Sequence, residues 1–159
     1  MVKKILITGA NGFLGSAITK LGIKKGYKVS ILVRKNSNLI NLKPFLSKLK
    51  VYYGNLEDIE SLNQPIKDND VIFHVAADYR LWSRKPAEIY AANVLGTENI
   101  ALKTLTHNKI LIYTSSVATL KLKKDFISDE NSVAKFDDMV GDYKKSKLDR
   151  KSTRLNSSH

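Results

Sequence analysis

The chain has 159 residues, 43% apolar and 26% charged, enough to bury one sizeable core and too few for two large domains. Its 27 Lys and Arg against 15 Asp and Glu give a formal net charge of +12, a sign that raises nucleic acid or an anionic membrane as partners. The pattern argues against both: 22 of the cations are Lys scattered along the chain, the densest clusters (Lys121 to Lys124 and Lys144 to Lys147) lack interleaved stacking aromatics, and no apolar run approaches the roughly 18 residues of a membrane span.

Cysteine is absent, which excludes disulfides, thiolate metal sites and a cysteine nucleophile. No metal site is expected. Met1 to Ile7 imitates the start of a signal peptide, but Gly9, Asn11, Gly12 and Gly15 interrupt any apolar core of one, so a cytoplasmic location is expected.

In chain order, Lys4 to Thr8 reads as a short buried parallel strand. Phe13, Leu14, Ala17, Ile18 and Leu21 then fall at helical spacing, with Gly26 as the stop and Gly22 as a mid-helix cost of about 1 kcal/mol. Further strands are expected at Lys28 to Val33, Lys50 to Tyr53, Val71 to Val75 and Lys109 to Tyr113. The stretch around Leu39 to Leu49 carries Pro44 and the next carries Pro65, so both intervening helices are expected to be short or irregular. The longest helix is expected at about Ala87 to Thr106. This alternation argues for an α/β fold, a parallel sheet with helices on both faces.

Residues 149 to 159, Asp149-Arg-Lys-Ser-Thr-Arg-Leu-Asn-Ser-Ser-His159, break the habit of the rest, with Arg150 and Arg154 in a Lys-rich chain. The string resembles the translation of a common sequencing-library adapter. We therefore expect a non-native, disordered tail at 149–159 and an incomplete domain at 1–148; leaving the tail out removes three cations and one acid and brings the charge to +10.

Gly9, Gly12 and Gly15 form G-x-x-G-x-x-G between the first strand and first helix, a spacing that 8 glycines in 159 residues would give by chance only about 0.02 times per chain. Such a turn brings backbone close to a pyrophosphate and aims free N–H groups at it, so a dinucleotide is expected. The second strand ends Ile31-Leu32-Val33-Arg34, with a cation where an acid would hold the ribose 2′-hydroxyl. This favours NADP over NAD, both remaining open. Tyr143 and Lys147 form a Tyr-x-x-x-Lys pair, of which roughly one is expected by chance in this composition. It acquires meaning from Ser115-Ser116 after the fifth strand.

Taken together, Thr8 to Gly15, His74-Val75-Ala76-Ala77, Asn93 with Gly96 and Thr97, Tyr113-Thr114-Ser115-Ser116, and Tyr143 with Lys147 resemble the extended short-chain dehydrogenase/reductases, the NAD-dependent epimerase/dehydratase family. Ala76 to Trp82, Tyr113 to Leu120 and Asp137-Asp138-Met139 are similar to its hopanoid-associated sugar epimerase and dihydroflavonol-reductase-like members. The resemblance implies a Rossmann-type doubly wound parallel sheet, truncated at its C-terminal side to about five strands in the order 3-2-1-4-5. It implies catalytic roles for Ser116, Tyr143 and Lys147: Tyr143 would move the proton that accompanies hydride transfer, Lys147 one helical turn away would stabilise the phenolate, and Ser116 would polarise the reacting oxygen. Cofactor contacts fall on Thr8, Gly9, Asn11, Gly12, Phe13, Leu14, Gly15, Arg34, Asn55, Leu56, Ala76, Ala77, Asn93, Thr114, Tyr143 and Lys147. Arg80, Trp82 and Ser116 would face substrate, although a loop anchored by a packed Trp82 explains that segment equally well. Asn55 departs from the family's usual Asp beside the adenine.

The leading expectation is a sugar epimerase or dehydratase acting through an oxidised intermediate on a small-molecule sugar derivative, with the full-length form a homodimer. The alternatives are an NADP-dependent carbonyl reductase of the dihydroflavonol-reductase type and a dinucleotide-sensing module without catalysis. The 159 residues by themselves are expected to be inactive. His74 and His107 are assigned no chemistry.

Overall fold

The computed structural model describes residues 3–80, 82–121, 127–129, 131, 132 and 134–156, with side chains through Asp149. Leu81, most of the Lys121 to Lys124 cluster and the last three residues lie outside it. The elements alternate as the apolar runs demand: β1 (Lys4–Thr8), α1 (Phe13–Lys24), β2 (Lys28–Val33), β3 (Leu49–Tyr53), α2 (Asn63–Lys67), β4 (Val71–His74), α3 (Pro86–Tyr90), α4 (Gly96–Thr106), β5 (Ile110–Tyr113) and α5 (Asp142–Asn156). Among the described residues five strands form one sheet in the order β3-β2-β1-β4-β5, every neighbouring pair parallel.

The pleat decides which helix each strand residue meets. Ile5, Ile7, Val29, Ile31 and Val33 point to one face, where they pack with Leu42 and with Ile18 and Ile23 of α1. Leu6, Leu32 and Ile72 point to the other, against Ile66 of α2, Ile100 of α4 and Leu62. Both faces are therefore covered, as all-parallel sheets require. Gly22 has a packing reason: a Cβ there would lie 2.8 Å from Ile5 Cδ1, so α1 rides directly on the sheet.

Pro44, which has no N–H to close a helical bond, sits in a 3₁₀ stretch at Ile40–Lys48. Pro65 falls in the first turn of the short α2, where no N–H is needed. The long expected helix runs over residues 86–106 but passes through π-type hydrogen bonding at Ala91–Leu95. The last helix, α5, runs from Asp142 to Asn156 and so extends into the first residues of 149–159. Residues 142–156 contain no Gly or Pro, and once a helix has nucleated each further residue adds a bond at little cost, so a polar sequence rich in Lys and Arg prolongs it.

At the amino edge of the sheet the Asp68 carboxylate accepts hydrogen bonds from Lys50 Nζ at 2.8 Å, the Tyr52 hydroxyl at 2.5 Å and Gln64 Nε2 at 2.6 Å. The Lys50 bond is the largest cause, with Tyr52 next, of a carboxyl held down at about 2. A lowered folded value means that the carboxylate stabilises the fold above the ordinary value of 3.8, and that this contribution is lost as pH falls toward 2. Asp68→Asn should lower the melting temperature at pH 7 by the equivalent of about 1 kcal/mol or less, the site being solvent-screened. Melting curves of the two proteins should converge at pH 2 and separate above pH 4; parallel curves would contradict the assignment.

Candidate active site

Parallel strands present all their carboxyl ends at one edge, and the expected site residues gather there. β1 delivers Thr8 to a turn in which Gly9 has φ +68°, a region that L side chains rarely occupy. The Gly12 N–H donates to the Gly9 carbonyl at 3.0 Å, and Gly12 caps α1 with no side chain. The first turn of α1 holds no acid, so the positive end of the helix faces the edge without a neutralising carboxylate. A Cβ on residue 15 would lie 2.0 Å from the Gly9 carbonyl oxygen, and one on residue 9 would lie 2.7 Å from Ala76 Cα. The turn is also held from outside, by Asn41 Nδ2 donating to the Asn11 carbonyl at 3.0 Å. Phe13 is 95% exposed at its lip and Leu14 is also exposed.

Arg34 follows β2 and is exposed. Asn55 is exposed after β3, with Oδ1 accepting from the Glu57 N–H, and the Leu56 carbonyl accepts from Asn99 Nδ2 of α4. Ala76 and Ala77 leave β4 half-buried, and the Thr114 N–H continues the ladder by donating to the His74 carbonyl at 3.1 Å.

Ser116 is the N-cap of the 3₁₀ turn Val117–Thr119 and accepts from the Ala118 N–H at 3.1 Å. That bond uses Oγ as acceptor and leaves its O–H able to donate. The turn packs against α5, which carries Tyr143 and Lys147. Lys147 Nζ lies 5.9 Å from the centre of the Tyr143 ring. Lys147 is 4% exposed, and it is the single buried lysine among the described residues.

Three expectations change in detail. Asn93 is fully buried in the π-type turn, and its carboxamide is committed within the protein: Oδ1 accepts from the Asp78 N–H, while Nδ2 donates to the Asp78 carbonyl and to Ser146 Oγ. Arg80 is tied to Asp78, with bonds of 2.6 to 3.0 Å, and to Glu88 at 3.2 Å. The Arg80 hydrogen bonds are the main cause of an Asp78 carboxyl shifted below its ordinary range, with a smaller pull from Arg34. Trp82 is 73% exposed, so it is not packed as a loop anchor. Ser146, fully buried, was not anticipated; Tyr143, Ser146 and Lys147 share one helix face at i, i+3 and i+4, a spacing readable from the chain.

The sequence profile of the NAD dependent epimerase/dehydratase family matches residues 5–152. The chain is 35% identical over 149 residues to a putative dihydroflavonol 4-reductase of Synechocystis, covering 92% of this chain and 43% of that protein. Among solved structures, gox2253 superposes with a TM-score of 0.88 at 36% identity, over 97% of this chain and 47% of the other. A UDP-glucose 4-epimerase of Thermotoga maritima, solved with UDP-glucose, superposes with a TM-score of 0.85 at 21% identity over 98% and 51%. The chain thus spans about half the length of the proteins it matches.

Gly15→Ala should cost about 3 kcal/mol, since the new methyl group meets backbone that cannot step aside. Gly12→Ala, whose Cβ would stand 3.3 Å from the Gly9 oxygen, should cost less. Thermal unfolding of both variants tests the ranking, and equal losses would refute it.

Proposed function

The chain belongs to the NAD dependent epimerase/dehydratase family, and on that premise we propose that the whole protein is an NADP-dependent reductase moving hydride between nicotinamide and a carbonyl carbon. The observation that carries this reading is the burial of Lys147 one helical turn from Tyr143. Placing an ammonium in the interior is costly, and lysines elsewhere in the described chain stay out of the core, so a retained buried lysine points to work done on a neighbour.

In this reading the glycine turn and the open end of α1 receive the cofactor pyrophosphate. Thr8, Asn11, Phe13, Leu14, Asn55, Leu56, Ala76, Ala77 and Thr114 line its path along the carboxyl edge, and Asn93 acts from behind that wall. Arg34 meets the 2′-phosphate. The cofactor supplies or accepts the hydride. Tyr143 passes a proton to or from the reacting oxygen, Lys147 stabilises the phenolate left behind, and Ser116 donates its free O–H to the same oxygen. Trp82 faces the substrate. Arg80 does so as part of an ion-paired cluster with Asp78 and Glu88, which is suited to hydrogen bonding more than to holding an anion.

A sugar epimerase is the second reading, favoured by the family's description. The reductase is preferred because Arg34 favours NADP and because a relative at 35% identity carries a reductase name, whereas the sugar-nucleotide epimerase likeness at 21% bears on fold alone. With less than half of that relative's length present, turnover is proposed for the whole protein and not for these 159 residues alone.

In the whole protein Tyr143→Phe should lower kcat by about 10²-fold or more, as expected for loss of general acid–base catalysis. NADPH should be consumed in step with product, whereas an epimerase would recycle it, and the two outcomes separate the readings. Arg34→Ala should reduce the preference for NADP over NAD about tenfold, the loss expected when one charged hydrogen bond is removed. An unchanged ratio would remove Arg34 from the cofactor site.

A further inference from the structure

We propose that His74 is a positioning residue that couples the glycine turn to the helix bearing Tyr143 and Lys147, acting as a neutral ring protonated on Nε2. The coupling is visible as a chain of hydrogen bonds, and its importance for catalysis rests on the function proposed above. The Ala76 N–H donates to Thr8 Oγ1 at 3.2 Å, and Thr8 Oγ1 lies 2.7 Å from His74 Nδ1. On the other side of the ring, His74 Nε2 lies 3.1 Å from Thr97 Oγ1, which donates to the Asn93 carbonyl at 2.7 Å. From Asn93 the side chain continues, Nδ2 donating to Ser146 Oγ at 3.0 Å and Ser146 donating to the Tyr143 carbonyl at 2.9 Å.

Proton counting favours one donor order. Thr97 has one hydroxyl proton and gives it to the Asn93 carbonyl, so it can only accept from His74, which puts a proton on Nε2. Thr8 already accepts from Ala76; its own proton finds an acceptor at Nδ1 only if that nitrogen is bare. A neutral ring protonated on Nε2 is thus the form we propose, because a proton on Nδ1 would leave the Thr8 hydroxyl proton without this acceptor. Thr8, His74, Asn93, Thr97 and Ser146 are each no more than 1% exposed, so water does not replace a lost partner and a broken bond leaves a buried polar group unpaired.

Both ends of the chain reach the candidate site. At one end Thr8 precedes Gly9, and the Ala76 backbone that bonds to Thr8 is the backbone that Gly9 approaches. At the other, Asn93 grips Asp78 through both backbone polar groups and α5 through Ser146. Residues 66 and 53 positions apart in sequence are thereby set against each other. Local sequence alone would leave the glycine turn and the Tyr143 helix free to drift independently.

The test uses the 159-residue chain labelled with ¹⁵N. Imidazole resonances of His74 read the tautomer directly at pH 7, with the neutral Nε2–H form expected. Thr97→Val removes the acceptor and Thr97→Ser keeps it. The valine variant should shift amide resonances at both Gly9 to Gly12 and Tyr143 to Lys147, and the serine variant should restore them. NADP titration of the same samples should show affinity lowered roughly tenfold in Thr97→Val alone, a typical coupling between linked sites. An Nδ1–H or charged His74 in the unmodified chain would overturn the proposal, and that result needs no variant to fold. So would shifts confined to the surroundings of residue 97. If NADP fails to bind the unmodified chain, the same titration in the whole protein decides the proposed function, which falls if NADP fails there too, while the tautomer and the amide shifts still decide the role of His74.

Discussion

The Gly9 carbonyl oxygen stands where any side chain at position 15 would have to begin, 2.0 Å from the place a Cβ would take. That contact lets the first turn of α1 close onto the end of β1 at backbone distance, and the rest of the site inherits its placement from it. Held there, α1 lies over β1 and β2 and directs its uncapped N-terminus along the carboxyl edge. Because each strand of the sheet runs parallel to its neighbours, the loops bearing Arg34, Asn55, Ala76 and Ser116 open toward the same edge. A bulkier residue at position 15 would act on the helix position first and on ligand contacts only as a consequence.

Charge acquires meaning in this structure through burial and not through its total. The net +12 belongs mostly to surface lysines and says little about partners. Arg80, a cation in the segment that follows β4, is held by two carboxylates. Arg34 remains exposed at the end of β2, and Lys147 sits inside beside Tyr143. In the proposed function these last two divide the work, the exposed cation holding an external phosphate and the buried one steadying an internal phenolate.

The strands were readable to within a residue because buried parallel strands are continuous apolar runs stopped by polar or glycine residues. β1 and β2 have the bounds expected, β3 and β5 differ at their first residue and β4 ends at His74 instead of Val75. The two proline-bearing stretches were readable as irregular for the same local reason. Beyond reach were the features that depend on contacts distant in sequence. No periodicity distinguishes the π-type turn at Ala91–Leu95, which arises where Asn93 must face both Asp78 and Ser146. The commitment of Arg80 was equally hidden, since Glu88 reaches it from the next helix. Tyr-x-x-x-Lys was uninformative by itself and gained meaning in the sequence from Ser115-Ser116, whereas the burial of its lysine was visible only in the fold.

The edge itself is built in two layers of different physical character. Its floor of Thr8, His74, Asn93 and Thr97 is closed to solvent and hydrogen-bonded throughout, so its geometry admits little adjustment. Its rim is apolar and open: Phe13 follows β1, Tyr79 and Trp82 follow β4, and Val117 follows β5, each at least 73% exposed. An isolated exposed apolar residue carries no message. Four in the segments that follow three neighbouring strands are another matter, because sheet topology places all of those segments on the carboxyl side. In the proposed function a bound dinucleotide and carbonyl compound would cover that rim while the floor fixes where they sit. Affinity would then come chiefly from the covered rim, and alignment of the reacting atoms from the buried floor.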